Sequence, residues 1–156
     1  MPITEGFRVQ KPLLGIGACL AGNPVRYNGE TNKPNEYVRN ICAQFEIRPF
    51  CPEMGIGLGV PRPPIRLVST EYAVRIVDVK THSHDYTDQI RTYARQVLEQ
   101  APLLCGYLLV RGSPSCGYGR VKRYSKEGQH LASDQNGIFA ATLANADPRL
   151  PLEDDG

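Results

Sequence analysis

Short strand-like segments alternate with helical patterns along the chain, and this alternation limits its possible folds more than any other feature of the sequence. Leu13–Cys19, Glu46–Cys51 and Leu103–Val110 are short, and each runs into a turn-rich loop, so each predicts a strand. Between them, Asn35 and Thr87 are each placed to cap a helix. The apolar residues of these helices recur at helical spacing: Tyr37, Val38, Ile41, Cys42 and Phe45 in the first, and Ile90, Tyr93, Ala94, Val97 and Leu98 in the second. Strand, helix, strand, helix, strand is the order of a parallel α/β sheet.

The remaining segments complete one domain, because 156 residues suit one domain better than two. Met54–Pro64 is too rich in glycine and proline for a regular element, whereas Ile65–Val68 and Tyr72–Val79 alternate like a hairpin or edge strands. Gly137–Ala144 predicts a last helix and Arg149–Leu152 a short final strand. We therefore divide the chain into an N-terminal extension, residues 1–12, and one α/β domain, residues 13–156.

Charge and hydropathy argue against three classes of protein: those that bind long nucleic acids, secreted proteins and membrane proteins. The net charge of +2 creates no strong field for a long nucleic acid. Met1–Pro12 lacks the apolar core of a signal peptide, and the longest apolar runs are far shorter than the roughly 20 residues that span a bilayer. These features predict a soluble, cytoplasmic protein, in which thiols stay reduced.

The five cysteines are an odd number, so they cannot form a complete set of internal disulfides. Cys19, Cys51 and Cys116 lie at or just past the carboxyl ends of predicted strands, which is where parallel sheets bind ligands. They are either three converging ligands or unrelated core and loop residues. Cys42 and Cys105 fall inside a helix and a strand, where we expect buried small hydrophobes. We expect His82, His84 and His130 to be solvated, which disfavours a four-ligand zinc site.

Two neighbours of these cysteines carry further chemistry. Glu53 follows Cys51 by two residues, and Ser113 precedes Cys116 by three. A carboxylate and a hydroxyl beside possible metal ligands are the parts of an assisted hydrolysis. The structural alternatives are that Glu53 caps a loop and that Ser113 forms a turn around Pro114.

Five motifs in one order make the sequence recognisable. The chain resembles the TudS thiouracil desulfidase family, long known as a domain of unknown function, from about Gly15 to Ala144. The Met54–Leu58 stretch and Arg66 look closest to the subgroup whose longer members carry a second C-terminal domain and act on thiolated tRNA. We do not expect that second domain in this chain. The motifs that carry the resemblance are Ile16–Leu20, Val25–Gly29, Cys51–Glu53, Gly57–Pro64 and Ser113–Gly117.

The resemblance implies a Rossmann-like, mostly parallel sheet flanked by helices, and a [4Fe–4S] cluster. Cys19, Cys51 and Cys116 would be its three protein ligands, which leaves one iron open as a Lewis acid for the sulfur of a C=S group. Glu53 would be the general base for the attacking water, and Ser113 would orient the substrate or relay a proton. The implied reaction is non-redox and converts C=S to C=O with release of hydrosulfide. The expected substrate-binding residues are Arg26, Tyr27, Arg62, Ser115 and Gly117.

The implied substrate is a thiolated pyrimidine, 4-thiouracil or its nucleotide 4-thio-UMP. The basic residues of the 111–126 segment, together with Arg26, Arg62 and Arg66, are either a phosphate anchor or a solvated basic face. A whole tRNA is a weaker expectation, because it calls for a wider basic surface. Two other functions stay open at this point: a cluster-containing module that binds a nucleotide or tRNA, and a zinc-dependent hydrolase.

Overall fold

The computed structural model describes residues 10–30, 33, 35–81 and 83–156, so most of the proposed N-terminal extension and His82 lie outside the described residues. Strands and helices alternate through the described chain much as the sequence predicts. In order they are β1 (Leu13–Gly17), α1 (Glu36–Gln44), β2 (Glu46–Phe50), α2 (Pro52–Gly55), β3 (Ile65–Ser69), β4 (Val74–Asp78), α3 (Thr87–Gln100), β5 (Leu104–Leu109), β6 (Val121–Tyr124), β7 (His130–Gln135), α4 (Ile138–Ala146) and β8 (Leu152–Asp154).

The first sheet is parallel throughout and has the strand order β2-β1-β5-β8. At its carboxyl edge Gly17 of β1 lies beside Phe50 of β2, and Ile16 lies beside Leu108 of β5. The predicted α/β fold with a parallel sheet flanked by helices is confirmed. The loops that leave β1, β2 and β5 all start from this one edge.

The second sheet is mixed and has the order β4-β3-β6-β7. The β3–β4 hairpin is antiparallel, as predicted, and β6 joins β3 in parallel. We predicted no strand at β6 or β7. Most residues of β7 are polar, and four of its six are exposed, so this edge strand lacks the apolar alternation that signals a strand.

Hydrogen bonds of single side chains help to determine where α1 and α3 begin. Asn35 caps α1 as predicted, and its side-chain oxygen accepts from the Val38 N–H at 2.8 Å. Thr87, in contrast, is the first residue of α3 and not its cap, because its buried hydroxyl accepts from the Ile76 N–H at 2.9 Å. The prediction of no regular element over Met54–Pro64 is wrong for Met54 and Gly55, which complete the single helical turn α2 that Pro52 opens.

Two apolar clusters form the core. The larger includes residues of α3, α4 and both sheets, and the smaller lies between β1 and α1. Cys42 is half-buried against the smaller cluster. Our expectation that Cys105 is buried is wrong: it is exposed, because it falls at the register shift in the β1–β5 pairing and has no partner on β1. Within the described residues, no helix combines the length and apolar character needed to cross a membrane.

Candidate active site

One pocket of about 390 Å³ lies at the carboxyl edge of the parallel sheet. Cys19 follows β1 by two residues, Cys51 directly follows β2, and Cys116 lies in the loop after β5. Parallel pairing of these strands therefore gathers three cysteines that are 32 and 65 residues apart in sequence. The other predicted site residues on the pocket wall are Arg26, Tyr27, Glu53, Arg62, Ser113 and Ser115.

The three pocket cysteines differ in burial. Cys19 and Cys116 are buried and Cys51 is half-buried, and no disulfide joins any of the chain's five cysteines. Burial is the largest cause that raises the pKa of Cys116 well above its ordinary value, and burial also raises the pKa of Cys51. A buried thiolate is therefore unfavourable unless a positive group binds it, and a metal is the usual group that keeps such a sulfur deprotonated.

Glu53 lies in the first turn of α2, next to the pocket cysteines. Its Oε1 accepts a charge-assisted hydrogen bond from Arg62 Nε at 3.1 Å, and its Oε2 accepts from Ser115 Oγ at 3.1 Å. The Arg62 side chain is only 3% exposed, and it also donates to the carbonyls of Gly59 and Val25. Arg62 thus faces Glu53 and ties the loops after β1 and α2 together.

Ser113 and Ser115 extend the contacts of Glu53. The two hydroxyl oxygens lie 3.1 Å apart, and Ser113 Oγ accepts from the Cys116 N–H at 3.1 Å. The Oγ of Ser115 is also 3.6 Å from Cys116 Sγ. If Ser113 donates to Ser115, and Ser115 to Glu53, a chain of hydroxyls connects the carboxylate to the pocket loop. Such a chain can carry a proton.

Gly117 and Gly137 hold the Ser113–Gly117 loop against α4. The N–H of Gly117 donates to the Ser113 carbonyl at 2.7 Å, and the N–H of Gly137 donates to the Gly117 carbonyl at 2.8 Å. A Cβ at Gly117 would overlap the Val121 side chain and come within 2.7 Å of the Ser113 carbonyl oxygen. Gly117 is buried in backbone packing and is not among the residues that line the pocket, so its contact with a substrate stays a prediction.

The pocket rim is basic and exposed. Arg26 and Tyr27 come from the loop after β1, and Arg111 comes from the loop after β5. Tyr27 is 44% exposed, and Arg26 lies 4.0 Å from Glu30 in a solvated contact. Two other basic residues of the 111–126 segment bind carboxylates away from the pocket wall: Arg120 pairs with Asp154, and Arg123 pairs with Asp134.

Two tyrosines behind the cysteines were missed in the sequence. Burial raises the pKa of Tyr93 to about 12, and negative charge at Cys51 and Cys116 contributes. Tyr107 is 1% exposed, and its hydroxyl has no hydrogen-bond partner in the described structure. The sequence signal that could have identified Tyr107 is a tyrosine inside the apolar strand β5. A phenylalanine would fill the same space without leaving a polar group unsatisfied.

The donor set fits an iron–sulfur cluster. Among the described residues, no group of three or more histidine, cysteine, aspartate or glutamate side chains is placed to hold a single metal ion. Three thiols on the wall of one pocket suit a polynuclear group, in which each thiolate binds a different iron. Thiolates are soft ligands that select iron–sulfur chemistry, and the unsatisfied Tyr107 hydroxyl nearby is a ready donor to sulfur.

Comparison with known proteins agrees with this chemistry. Residues 14–155 match the sequence model of the 2-thiouracil desulfurase family. Among solved structures, the chain is similar to the [4Fe–4S]-dependent thiouracil desulfidase TudS, with a TM-score of 0.67 and 28% sequence identity over 94% of this chain and 91% of that one. A comparison with curated proteins found no significant match.

Proposed function

The chain belongs to the 2-thiouracil desulfurase family, and we propose that it is a [4Fe–4S]-dependent enzyme that hydrolyses the C=S group of a thiolated pyrimidine. The observation that carries the proposal is that Cys19, Cys51, Cys116 and Glu53 line one pocket. In the proposed reaction, the oxygen of water forms a bond to carbon, the carbon–sulfur bond breaks, and sulfur leaves as hydrosulfide. No electron is gained or lost overall.

The three cysteines would hold the cluster through their thiolates. When bound, the cluster supplies a Lewis acid that polarises the C=S group. Binding the cluster requires the thiols to lose their protons, and the positive charge of the irons would offset the unfavourable burial of the thiolate at Cys116. The proposal places the protein in the cytoplasm, where thiols remain reduced.

Glu53 would be the general base. Arg62 and Ser115 each occupy one of its carboxylate oxygens at 3.1 Å, and each oxygen retains a lone pair that can accept a proton from water. Fixed in this way, the carboxylate needs no reorganisation when water attacks. Ser113 would orient the substrate ring or pass a proton to it through Ser115.

The rim supports a small substrate with an anionic group. A pocket of about 390 Å³ is in the range of small-molecule sites. Arg26 and Arg111 at the rim offer guanidinium groups to a phosphate, which favours 4-thio-UMP over free 4-thiouracil. In this proposal Tyr27 faces the ring of the substrate, and tRNA is the weaker candidate.

The function is tested by sulfide release from anaerobically reconstituted protein supplied with 4-thiouracil, 4-thio-UMP or thiolated tRNA. We expect one sulfide for each oxo base formed, without any added electron donor, and the highest kcat/KM for 4-thio-UMP. A loaded cluster with no turnover on any substrate would favour the binding module. Stoichiometric zinc in place of iron would favour the hydrolase with a zinc centre.

Glu53→Gln tests the base directly. Because glutamine keeps the size of the side chain but cannot take the proton, we expect full iron and sulfide content and a kcat lower by about 10²–10⁴-fold. Glu46→Gln, an exposed change at the start of β2, is the matched control and should turn over normally. Normal turnover in Glu53→Gln would remove Glu53 from the mechanism.

A further inference from the structure

Tyr107 carries a polar group that the protein itself leaves unsatisfied. Its side chain is 1% exposed, and its hydroxyl has no partner in the described structure. Leaving a buried donor without a partner costs about 1–3 kcal/mol, and phenylalanine would avoid this while filling the same space. The hydroxyl therefore points to a partner that is not part of the polypeptide.

The ring is fixed among residues that lead to the pocket cysteines. Phe50, which directly precedes Cys51, stacks on Tyr107 with ring centroids 6.2 Å apart. Phe139 contacts Tyr107 edge-on at 5.3 Å, and its N–H donates to the carbonyl of Ser115, the neighbour of Cys116. These contacts hold the orientation of the ring relative to two of the three thiols.

Gly15 completes the space for the ring. It lies beside Tyr107 across the β1–β5 pairing, and a Cβ there would overlap the ring, with Tyr107 Cε2 only 2.7 Å away. β1 then continues to Cys19. All three cysteines act on the phenol electrostatically: after burial, which is the largest cause, charges at Cys116, Cys51 and Cys19 help to raise the pKa of Tyr107 well above its ordinary value. The group is therefore a neutral O–H donor, and Tyr107 lies in the same buried cluster as Cys116.

We propose that the Tyr107 hydroxyl donates a hydrogen bond to a sulfur of the cluster held by Cys19, Cys51 and Cys116, and thereby raises the reduction potential of that cluster. The inference rests on the proposed cluster. Hydrogen bonds to cluster sulfurs stabilise the more negative, reduced form, so they make reduction easier. In this account Tyr107 adjusts the reduction potential of the cluster and does not transfer a proton in the reaction. Proton transfer is the role proposed for Glu53.

The test is a redox titration of the reconstituted holoprotein, wild type against Tyr107→Phe. We expect equal iron and sulfide content in the two proteins. The midpoint potential of the variant should be lower by about 59 mV, which for one electron is a tenfold change in the equilibrium constant of reduction. Tyr86→Phe removes a hydroxyl from the edge of the same core and is the control, with no expected shift. An unshifted potential in Tyr107→Phe would overturn the inference.

A second substitution keeps the size and the donor. 3-Fluorotyrosine placed at position 107 has a more acidic hydroxyl, which is a stronger donor, so it should shift the potential in the opposite direction to Tyr107→Phe. A shift of the same sign in both, or none with 3-fluorotyrosine, would contradict the hydrogen bond. Failure of the wild-type protein to hold four irons and four sulfides would instead contradict the proposed function, so the two failures are distinguishable.

Discussion

Glu53 is held at both carboxylate oxygens by groups from two different loops. Arg62 donates to one oxygen and Ser115 to the other, each at 3.1 Å. Arg62 in turn donates to the carbonyls of Gly59 and Val25, so its planar guanidinium fixes both the carboxylate and the loops around it. The family resemblance predicts Arg62 as a substrate-binding residue, and its contacts lead us to propose that it also positions Glu53.

Glycine at position 117 allows the ligand loop to close, and Gly117→Ala tests this. The added Cβ would overlap Val121 and lie 2.7 Å from the Ser113 carbonyl oxygen, so the loop that carries Cys116 must shift. We expect a loss of about 1–3 kcal/mol of unfolding free energy and reduced iron content after reconstitution. Thermal unfolding and iron analysis measure both.

Gly106→Ala is the matched control on β5. Its new Cβ would meet its nearest neighbours at 3.4 Å, an ordinary contact, so we expect little change in Tm and full iron content. Equal behaviour of the two variants would contradict the account of Gly117.

At the scale of elements, the sequence predicts the parallel sheet well because its signals are local. Periodicity marks α1 and α3, and short apolar runs mark β1 and β5. The sequence does not predict β6 and β7, which are strands through pairing with β3 and with each other and not through apolar alternation. α2 was missed because a single turn has no period to detect.

The connection between β4 and α3 holds the Asp78 carboxylate in hydrogen bonds, and a pH titration of stability can test their effect. Asp78 ends β4, and hydrogen bonds from Thr81, the largest cause, lower its pKa from about 3.8 to about 2. The hydroxyl and the N–H of Thr81 donate to its Oδ2 at 2.7 and 3.0 Å. The folded state thus binds fewer protons than the unfolded state between these two pKa values, so stability falls as pH drops through this window.

We expect Asp78→Asn to flatten this acid-dependent loss. The free energy of unfolding of the wild type should decrease between about pH 4 and pH 2, and the variant should be less stable at pH 7 with a smaller slope in that range. Glu71→Gln, in the exposed turn between β3 and β4, is the control. A variant with the wild-type slope would remove Asp78 from the acid response.

Across the whole molecule, the site depends on topology more than on proximity in sequence. Three cysteines on three loops line one pocket because β1, β2 and β5 are parallel neighbours. The strand pattern allowed that convergence but left unrelated cysteines as an alternative, and the family resemblance was needed to choose between the two. The Tyr107 environment was beyond sequence reasoning, because the packing of Phe50, Phe139 and Gly15 around one ring involves three elements that only the fold brings together.

Iron and sulfide content of single cysteine variants tests the central claim most directly. After anaerobic reconstitution we expect about four irons and four sulfides per chain in the wild type. Cys42→Ser and Cys105→Ser, one half-buried at the smaller cluster and one exposed, should match the wild type. Cys19→Ser, Cys51→Ser and Cys116→Ser should each lose most of the iron. Full iron content in any of these three, or iron loss confined to Cys42→Ser and Cys105→Ser, would contradict the assignment of the site.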